Sequence, residues 1–320
     1  MKNLKKTKQL GLMICSFAVF LIMALPSCKK NGGDELSDTK APNQSKLTEA
    51  EEILIMKAGF STTDAEKIGD SYLVEGDILM SAKDLTHQKE LREQLTAKTG
   101  PSTEQYKSGY TLAAKYINNG QIKIKVDGGN LQKLVTDATT IAIKRYNDLK
   151  LKTTFVLETS STGTSDIVVT MKDLGGRNAN GQIILGQAGG FPTADGKPGP
   201  GFALNNQYYN ATDFTATELA AVVAHELGHC VGFRHTDYVD RRSCGIGSTG
   251  EPTIVYLTNP EGTKYLLDAN GKKIPDLTLT ASLIPGTPKT DANSWMRSCN
   301  APGAFTANDK VAIYYLLGKQ

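Results

Sequence analysis

The chain lacks an excess of charge of either sign. Of its 320 residues, 36 are Lys or Arg and 33 are Asp or Glu. Four of the lysines lie in the first 27 residues, where no acid occurs, so the remainder holds 32 basic and 33 acidic residues. A basic surface that binds nucleic acid is therefore not expected. Because 39% of the residues are hydrophobic and 22% are charged, the composition also excludes a disordered chain.

The chain has only one long apolar run, at 9–25, which follows the lysines and ends in Leu25-Pro26-Ser27-Cys28. A basic start, an apolar run and a small-residue boundary predict a secretory signal peptide over 1–27. The apolar run is short for a membrane span, which usually takes about 20 apolar residues. A single N-terminal anchor is the alternative. Residues 25–28 resemble the lipobox of bacterial lipoproteins, which implies acylation of Cys28. We therefore expect a lipid-anchored protein of the cell envelope, periplasmic or surface-exposed, or released after processing.

Cysteine is scarce, and Cys15 leaves with the signal peptide while Cys28 is the expected lipid attachment point. Cys230, Cys244 and Cys299 remain, which allows one disulfide and one free thiol. The sequence leaves all three pairings open. We favour Cys244 with Cys299, because Cys230 falls within a predicted helix, where neighbouring side chains restrict its reach.

The polar residues 28–48 predict a flexible tether, and 49–118 form a mixed segment before a more regular region, 119–320. Alternating apolar residues at 122–126 predict a strand, and helical spacing over 131–149 predicts a helix with Asn130 as its N-cap. Short β-rich runs follow at 153–157, 166–171 and 182–186. One strand, one helix and then several strands predict an α+β domain.

Histidine is rare as well, and three of the four histidines lie within 225–235. Thr215 and Glu218 have the T-x-x-E spacing of a capping box, which predicts the start of a helix. His225 and His229 are four residues apart on this helix, so both imidazoles lie on one face and can bind one metal ion.

Glu226 lies one step around the helix from His225, close enough to accept a proton from water at the metal. Gly232 can end the helix with a positive φ, and the reversed chain can then bring His235 in as a third ligand. Three nitrogen ligands leave zinc an open position. H-E-x-x-H alone also occurs as a simple helix-surface pair, but the complete H-E-x-x-H-x-x-G-x-x-H pattern favours one catalytic zinc ion.

That pattern resembles the signature of metzincin zinc peptidases. The resemblance implies a Met-turn below the metal, and Met296 in Ser294-Trp295-Met296 fits it. Ser298 stands two residues later, so the extra tyrosine ligand of some metzincins is not expected. Within the metzincins, the chain resembles the bacterial dual-action HEIGH metallopeptidases. The matching stretches are GQAGGFP (186–192), HELGHCVGFRHTD (225–237), IPGTP (284–288), DANSWMRSC (291–299) and FTANDKVAIYYL (305–316).

The resemblance implies a twisted mixed sheet with an active-site helix and a C-terminal helix over 119–320, preceded by a pro-like segment over 49–118. It also implies an extended polypeptide substrate that lies antiparallel to an edge strand near 184–190. Residues 74–78 resemble the aspartate switch of astacin propeptides, in which a carboxylate takes the open zinc position. Asp77 would then keep the enzyme latent until the residues before about 119 are removed. A surface Gly-Asp turn is the alternative.

The sequence thus predicts a lipid-anchored, monomeric zinc endopeptidase with Glu226 as general base. A catalytically silent binding lipoprotein and a zinc amidase acting on a non-peptide substrate are the alternatives, and the intact Glu226 and three histidines argue against the first. Asp195-Gly196-Lys197-Pro198-Gly199 could form a calcium loop, although a simple turn is the commoner structure for such residues.

Overall fold

The computed structural model describes residues 44–62, 64–96, 105–177, 181–238, 241–245, 257–258, 264–267, 273–275, 282–288 and 291–320. The predicted signal peptide, Cys28 and most of the predicted tether lie outside these residues. Within them, no helix combines the length and the apolar character needed to cross a bilayer.

The helices in chain order are α1 (Glu49–Lys57), α2 (Ala82–Thr96), α3 (Ala114–Ile117), α4 (Gln132–Asn147), α5 (Ala216–Cys230) and α6 (Ala307–Leu317). The strands are β1 (Gln44–Ser45), β2 (Glu66–Ile68), β3 (Ser71–Val74), β4 (Ile78–Ser81), β5 (Gln105–Lys107), β6 (Gln121–Asp127), β7 (Thr154–Leu157), β8 (Ile167–Lys172), β9 (Gly186–Ala188), β10 (Gly201–Asn205), β11 (Leu257–Thr258), β12 (Lys264–Leu267), β13 (Lys273–Pro275) and β14 (Ser282–Ile284).

Nine of the strands form one mixed sheet in the order β1-β2-β3-β4-β9-β10-β8-β6-β7. Strands β7, β6, β8 and β10 are parallel to one another, and β9 is antiparallel to β10. Strands β1 to β4 form an antiparallel meander. This meander joins the rest of the sheet at one residue pair, where Ile78 of β4 lies parallel to Ala188 of β9. The predicted α+β class and mixed sheet are confirmed.

The main core lies between this sheet and helices α4 and α5. Tyr146 of α4 is fully buried, and its hydroxyl donates a 2.8 Å hydrogen bond to the carbonyl oxygen of Ala224 in α5. The apolar stripes of the two helices contribute Val135, Ala138, Ala142, Leu219, Val223 and Leu227 to this core. Burial of these stripes against each other and the sheet fixes the position of α5, which carries two of the histidines.

Two sequence-based predictions in this region are wrong. Asn130 is not an N-cap, because Gly129–Leu131 form a 3-10 turn and α4 begins only at Gln132. The Gln132 side chain accepts a 2.7 Å hydrogen bond from the Gly128 N–H, and no side chain of the N-cap residue Leu131 bonds to the first turn of α4. The strand predicted at 182–186 lies instead at Gly186–Ala188.

Residues 105–117 pack with the later part of the chain. Strand β5 pairs with β14, the Ser108 N–H donates to the Gly232 carbonyl at 2.8 Å, and the Tyr116 hydroxyl donates to Asp166 at 2.8 Å. The domain boundary at residue 119 stays a prediction. These contacts favour an earlier one, between the end of α2 and the start of β5.

Candidate metal centre and active site

Helix α5 begins with the predicted capping box. The Thr215 N–H donates to Glu218 Oε2 at 2.8 Å, and the Thr215 hydroxyl accepts from the Glu218 N–H. The helix ends near Val231, and Gly232 follows with φ +111°. The Gly232 N–H donates to the His229 carbonyl at 2.9 Å, so the chain reverses and returns His235 to the face of α5 that carries the other two histidines.

The three histidines converge through their Nε2 atoms. The distance from His225 Nε2 to His235 Nε2 is 3.1 Å, and His229 Nε2 lies 3.2 Å from each of them. A tetrahedral zinc ion with nitrogen ligands at about 2.0–2.1 Å requires ligand nitrogens about 3.3 Å apart. His225 Nδ1 lies 2.7 Å from the Trp295 carbonyl oxygen and His229 Nδ1 lies 2.8 Å from that of Phe233. Each Nδ1 therefore carries the proton, and each Nε2 is left with a lone pair for a metal.

Asp77 brings a carboxylate to the same point. Its Oδ2 lies 3.1 Å from His235 Nε2 and 3.3 Å from His225 Nε2, and its Oδ1 lies 3.6 Å from His229 Nε2. These four side chains form the only metal-binding group of His, Cys, Asp or Glu found in the described part of the chain, and all four are buried. Although burial opposes ionisation, electrostatic interaction with His235 and His229 holds the pKa of Asp77 well below its usual range.

Unpaired buried oxygen atoms are a second observation that favours a zinc ion among these residues. Asp77 Oδ1 and Glu226 Oε2 are buried and have no hydrogen-bond partner, and unpaired buried polar atoms are costly. Asp77 Oδ1 belongs to the four-residue group, and a cation there gives it a partner. A Cβ at Gly186 would overlap Glu226 Oε1, so glycine at this position leaves room for the carboxylate. Burial and then the neighbouring Asp77 carboxylate raise the pKa of Glu226 well above its usual range.

Met296 lies below α5, as the Met-turn resemblance implies. A Cβ on Gly228 would stand 2.6 Å from Met296 Sδ, so the two are in tight contact. The Trp295 indole N–H donates to the Ala224 carbonyl at 3.3 Å, and the Thr236 N–H donates to the Met296 carbonyl at 2.9 Å. Met296 therefore supports the site through packing, and the turn around it fixes the His225 ring through the Trp295 carbonyl.

Sequence reasoning missed Glu75, which is buried and has a φ of +53°. Its carboxylate pairs with the buried Arg234 guanidinium, which also donates to the Gly59 carbonyl at 2.9 Å. Glu75 Oε2 lies 3.2 Å from His235 Nδ1, so this residue contacts the outer nitrogen of the third histidine. In the sequence, the only sign of this contact is that an acidic residue stands two positions before Asp77.

The structure places Cys244 and Cys299 in a disulfide with a Cα–Cα distance of 5.0 Å, and Cys230 is a buried free thiol. Beside this disulfide, Asp237 accepts hydrogen bonds from the Ser298 N–H and hydroxyl at 3.0 and 2.9 Å.

The predicted calcium loop gains no support. The Asp195 carboxylate pairs with Lys197 at 2.8 Å and accepts a hydrogen bond from the Thr193 hydroxyl. The carboxylate is thus already neutralised by a cation of its own loop.

Comparison with known proteins identifies the family of this chain. The family model described as dual-action HEIGH metallo-peptidase matches residues 73–257, more than half of the chain. Two solved structures of myroilysin are similar at 14% and 15% identity, each with a TM-score of 0.37, and the matches cover 63% and 65% of this chain and 82% and 87% of theirs. No curated protein matches the chain significantly. The match of the family model carries the assignment: the chain belongs to the dual-action HEIGH metallopeptidases and is a zinc metallopeptidase.

Proposed function

We propose that this metallopeptidase is a secreted endopeptidase made in a latent form, in which Asp77 holds the fourth position around the zinc ion. The observation that carries the proposal is the contact of one carboxylate with all three histidine Nε2 atoms, at 3.1 to 3.6 Å. A substrate carbonyl or an attacking water needs that same position. The uncut chain should therefore be inactive.

His225, His229 and His235 would hold the metal ion, and their fixed Nδ1 partners would keep the rings oriented. Zinc bound there polarises a carbonyl and lowers the pKa of a bound water to about 7. Glu226 would act as general base, because its carboxylate is buried in the same cavity as His225. Its Oε2 would accept the proton from water and then pass it to the leaving amine.

The segment that carries Asp77 is held by contacts at that residue and at the two residues before it. The Ala188 N–H donates to the Asp77 carbonyl at 2.8 Å, Glu75 pairs with Arg234, and Gly76 lies against the Arg241 guanidinium. Strand β4 runs parallel to β9, whereas the metzincin resemblance implies an antiparallel substrate. A segment bound in the reversed direction would cover the substrate site without presenting a peptide bond in the reactive orientation.

Zinc content and proteolysis together test this function. The chain from residue 28 onward, with a site for a specific protease inserted between residues 97 and 104, is analysed for metal by mass spectrometry and for hydrolysis of unfolded casein. We expect one zinc ion per chain and activity only after the cut. A cut Glu226→Gln variant, which keeps the three histidines, serves as control for a contaminating protease. One zinc ion with no hydrolysis before or after the cut would refute the endopeptidase.

The cellular location is part of the proposal. Acylation at Cys28 would attach the protein to the cell envelope, and the polar residues 28–48 would separate it from the membrane. Mass spectrometry of the mature N-terminus should detect a lipid-modified Cys28, and Cys28→Ser should release the protein into the soluble fraction. An unmodified Cys28 in the membrane fraction would contradict the anchor. The expected monomer is tested by light scattering.

A further inference from the structure

A cavity of about 330 Å³ lies beside His225 and Glu226, and two arginines contribute to its wall. Arg241 and Arg297 both line it, together with apolar residues that include Ile183 and Val222. Among the described residues, Asp77 and Glu226 are the only acidic ones along its wall. The cavity is therefore a recess of mixed polarity, with two arginines next to the reacting position.

Arg241 has the features of a residue held in place for binding. It is 5% exposed, its φ of +47° lies in the left-handed region, and its Nε is buried without a hydrogen-bond partner. Its ion-pair partner is Asp64, at 3.5 Å, and its guanidinium lies against Gly76. Asp64 and Gly76 belong to the segment that release would remove, so Arg241 would lose its carboxylate and become accessible.

Arg297 makes no ion pair within the described residues. The Asp237 carboxylate is bonded to Ser243 and Ser298, and no ion pair joins it to Arg297 among the described residues. The disulfide joins Cys244, three residues after Arg241, to Cys299, two residues after Arg297. It thus fixes the two chain segments that carry the guanidinium groups on one wall of the cavity.

From this arrangement we infer that the cleft binds a peptide with an aspartate or glutamate side chain directly next to the scissile bond, through Arg241 and Arg297. The inference rests on the proposed peptidase function. Guanidinium groups bind carboxylates by paired, charge-assisted hydrogen bonds. After release, Glu226 would be the only carboxylate left among the described residues of the wall, beside two arginines. An added carboxylate would then be attracted and a lysine side chain repelled.

Cleavage-site profiling tests the inference. The full chain, cut between residues 97 and 104 and loaded with zinc, digests a diverse peptide library, and the products are sequenced by mass spectrometry. We expect Asp and Glu to be enriched about tenfold over Asn and Gln at one position flanking the cut. Arg241→Glu and Arg297→Glu should shift that position towards Lys. Arg242→Glu is the matched control, because Arg242 is exposed and does not line the cavity.

A binding measurement separates this inference from the proposed function. The cut Glu226→Gln variant is titrated with three labelled peptides that differ only in Glu, Gln or Lys at the profiled position, or at both flanking positions in turn if the library is not cleaved. We expect the Glu peptide to bind about tenfold more tightly than the Gln peptide, and this preference to vanish in Arg297→Gln. Glu-selective binding without hydrolysis by the wild type would refute the proposed peptidase activity and support the site for an acidic side chain. Hydrolysis with equal affinity for Glu and Gln peptides would support the peptidase activity and overturn the site for an acidic side chain. Absence of hydrolysis and of Glu-selective binding would overturn both proposals.

Discussion

Replacement of Asp77 by asparagine is the sharpest test of latency, because it removes the charge and keeps the size of the side chain. The carboxylate is 13% exposed and lies within 3.6 Å of three histidine nitrogens. Loss of one partner from a buried charged pair costs about 2–5 kcal/mol. Because 1.36 kcal/mol is a factor of ten, the open fraction of the uncut chain should rise between about 30-fold and several thousandfold.

The assay measures initial rates of casein hydrolysis by uncut wild type, uncut Asp77→Asn and both proteins after the cut, at equal zinc content. We expect the variant to be active before the cut and to equal the wild type after it. Asp70→Asn is the matched control, since Asp70 lies exposed in the turn between β2 and β3 of the same segment. A silent uncut Asp77→Asn protein that gains full activity on cutting would refute the assignment of Asp77 as the latch.

Four further perturbations have expected outcomes. In the cut chain, Glu226→Gln should keep one zinc ion but lower kcat by about 10²–10⁴-fold; a smaller loss would exclude it as general base. Gly228→Ala puts a Cβ 2.6 Å from Met296 Sδ and should lower the free energy of unfolding by about 1–3 kcal/mol, whereas an unchanged denaturant midpoint would contradict that contact. Removing the disulfide with Cys244→Ser and Cys299→Ser opens a loop with a sequence separation of 55. It should cost about 4 kcal/mol in the chain-entropy model, measured by urea unfolding against the single-thiol control Cys230→Ser. Chelation should lower the Tm, and added zinc should restore it with about 2.7 kcal/mol of stabilisation at a hundredfold excess over Kd; a Tm indifferent to metal would argue against a zinc site.

Local chemistry made part of the fold predictable. The capping box at Thr215 and Glu218 sets the start of α5 through bonds three residues apart, so the sequence alone reveals it. Strand β9 was misplaced because its position depends on a distant partner: Ala188 pairs with Phe202 across the sheet. Three residues are too few for an alternating pattern, so this strand had no recognisable signal of its own.

The same distinction separates the parts of the site. His225, Glu226 and His229 share one helical turn, and Gly232 provides the reversal, so their arrangement follows from spacing. Glu75 and its partner Arg234 are 159 residues apart in sequence. No periodicity or local spacing connects residues so far apart. Only the folded chain shows that an acid beside the predicted latch also contacts the third histidine.

The seam between the N-terminal meander and the rest of the sheet is suited to release. Strand β4 meets β9 at one residue pair, whereas β9 meets β10 at three. Many of the contacts across the seam are charged: Asp77 with the histidines, Glu75 with Arg234 and Asp64 with Arg241. Buried ion pairs give little net stability, because separation returns both partners to water and restores their hydration. A seam with one strand pair, one aromatic contact between Phe60 and Phe191 and several ion pairs therefore holds while the chain is continuous. Once the segment is cut, it gains the entropy of a separate molecule, and the seam can open.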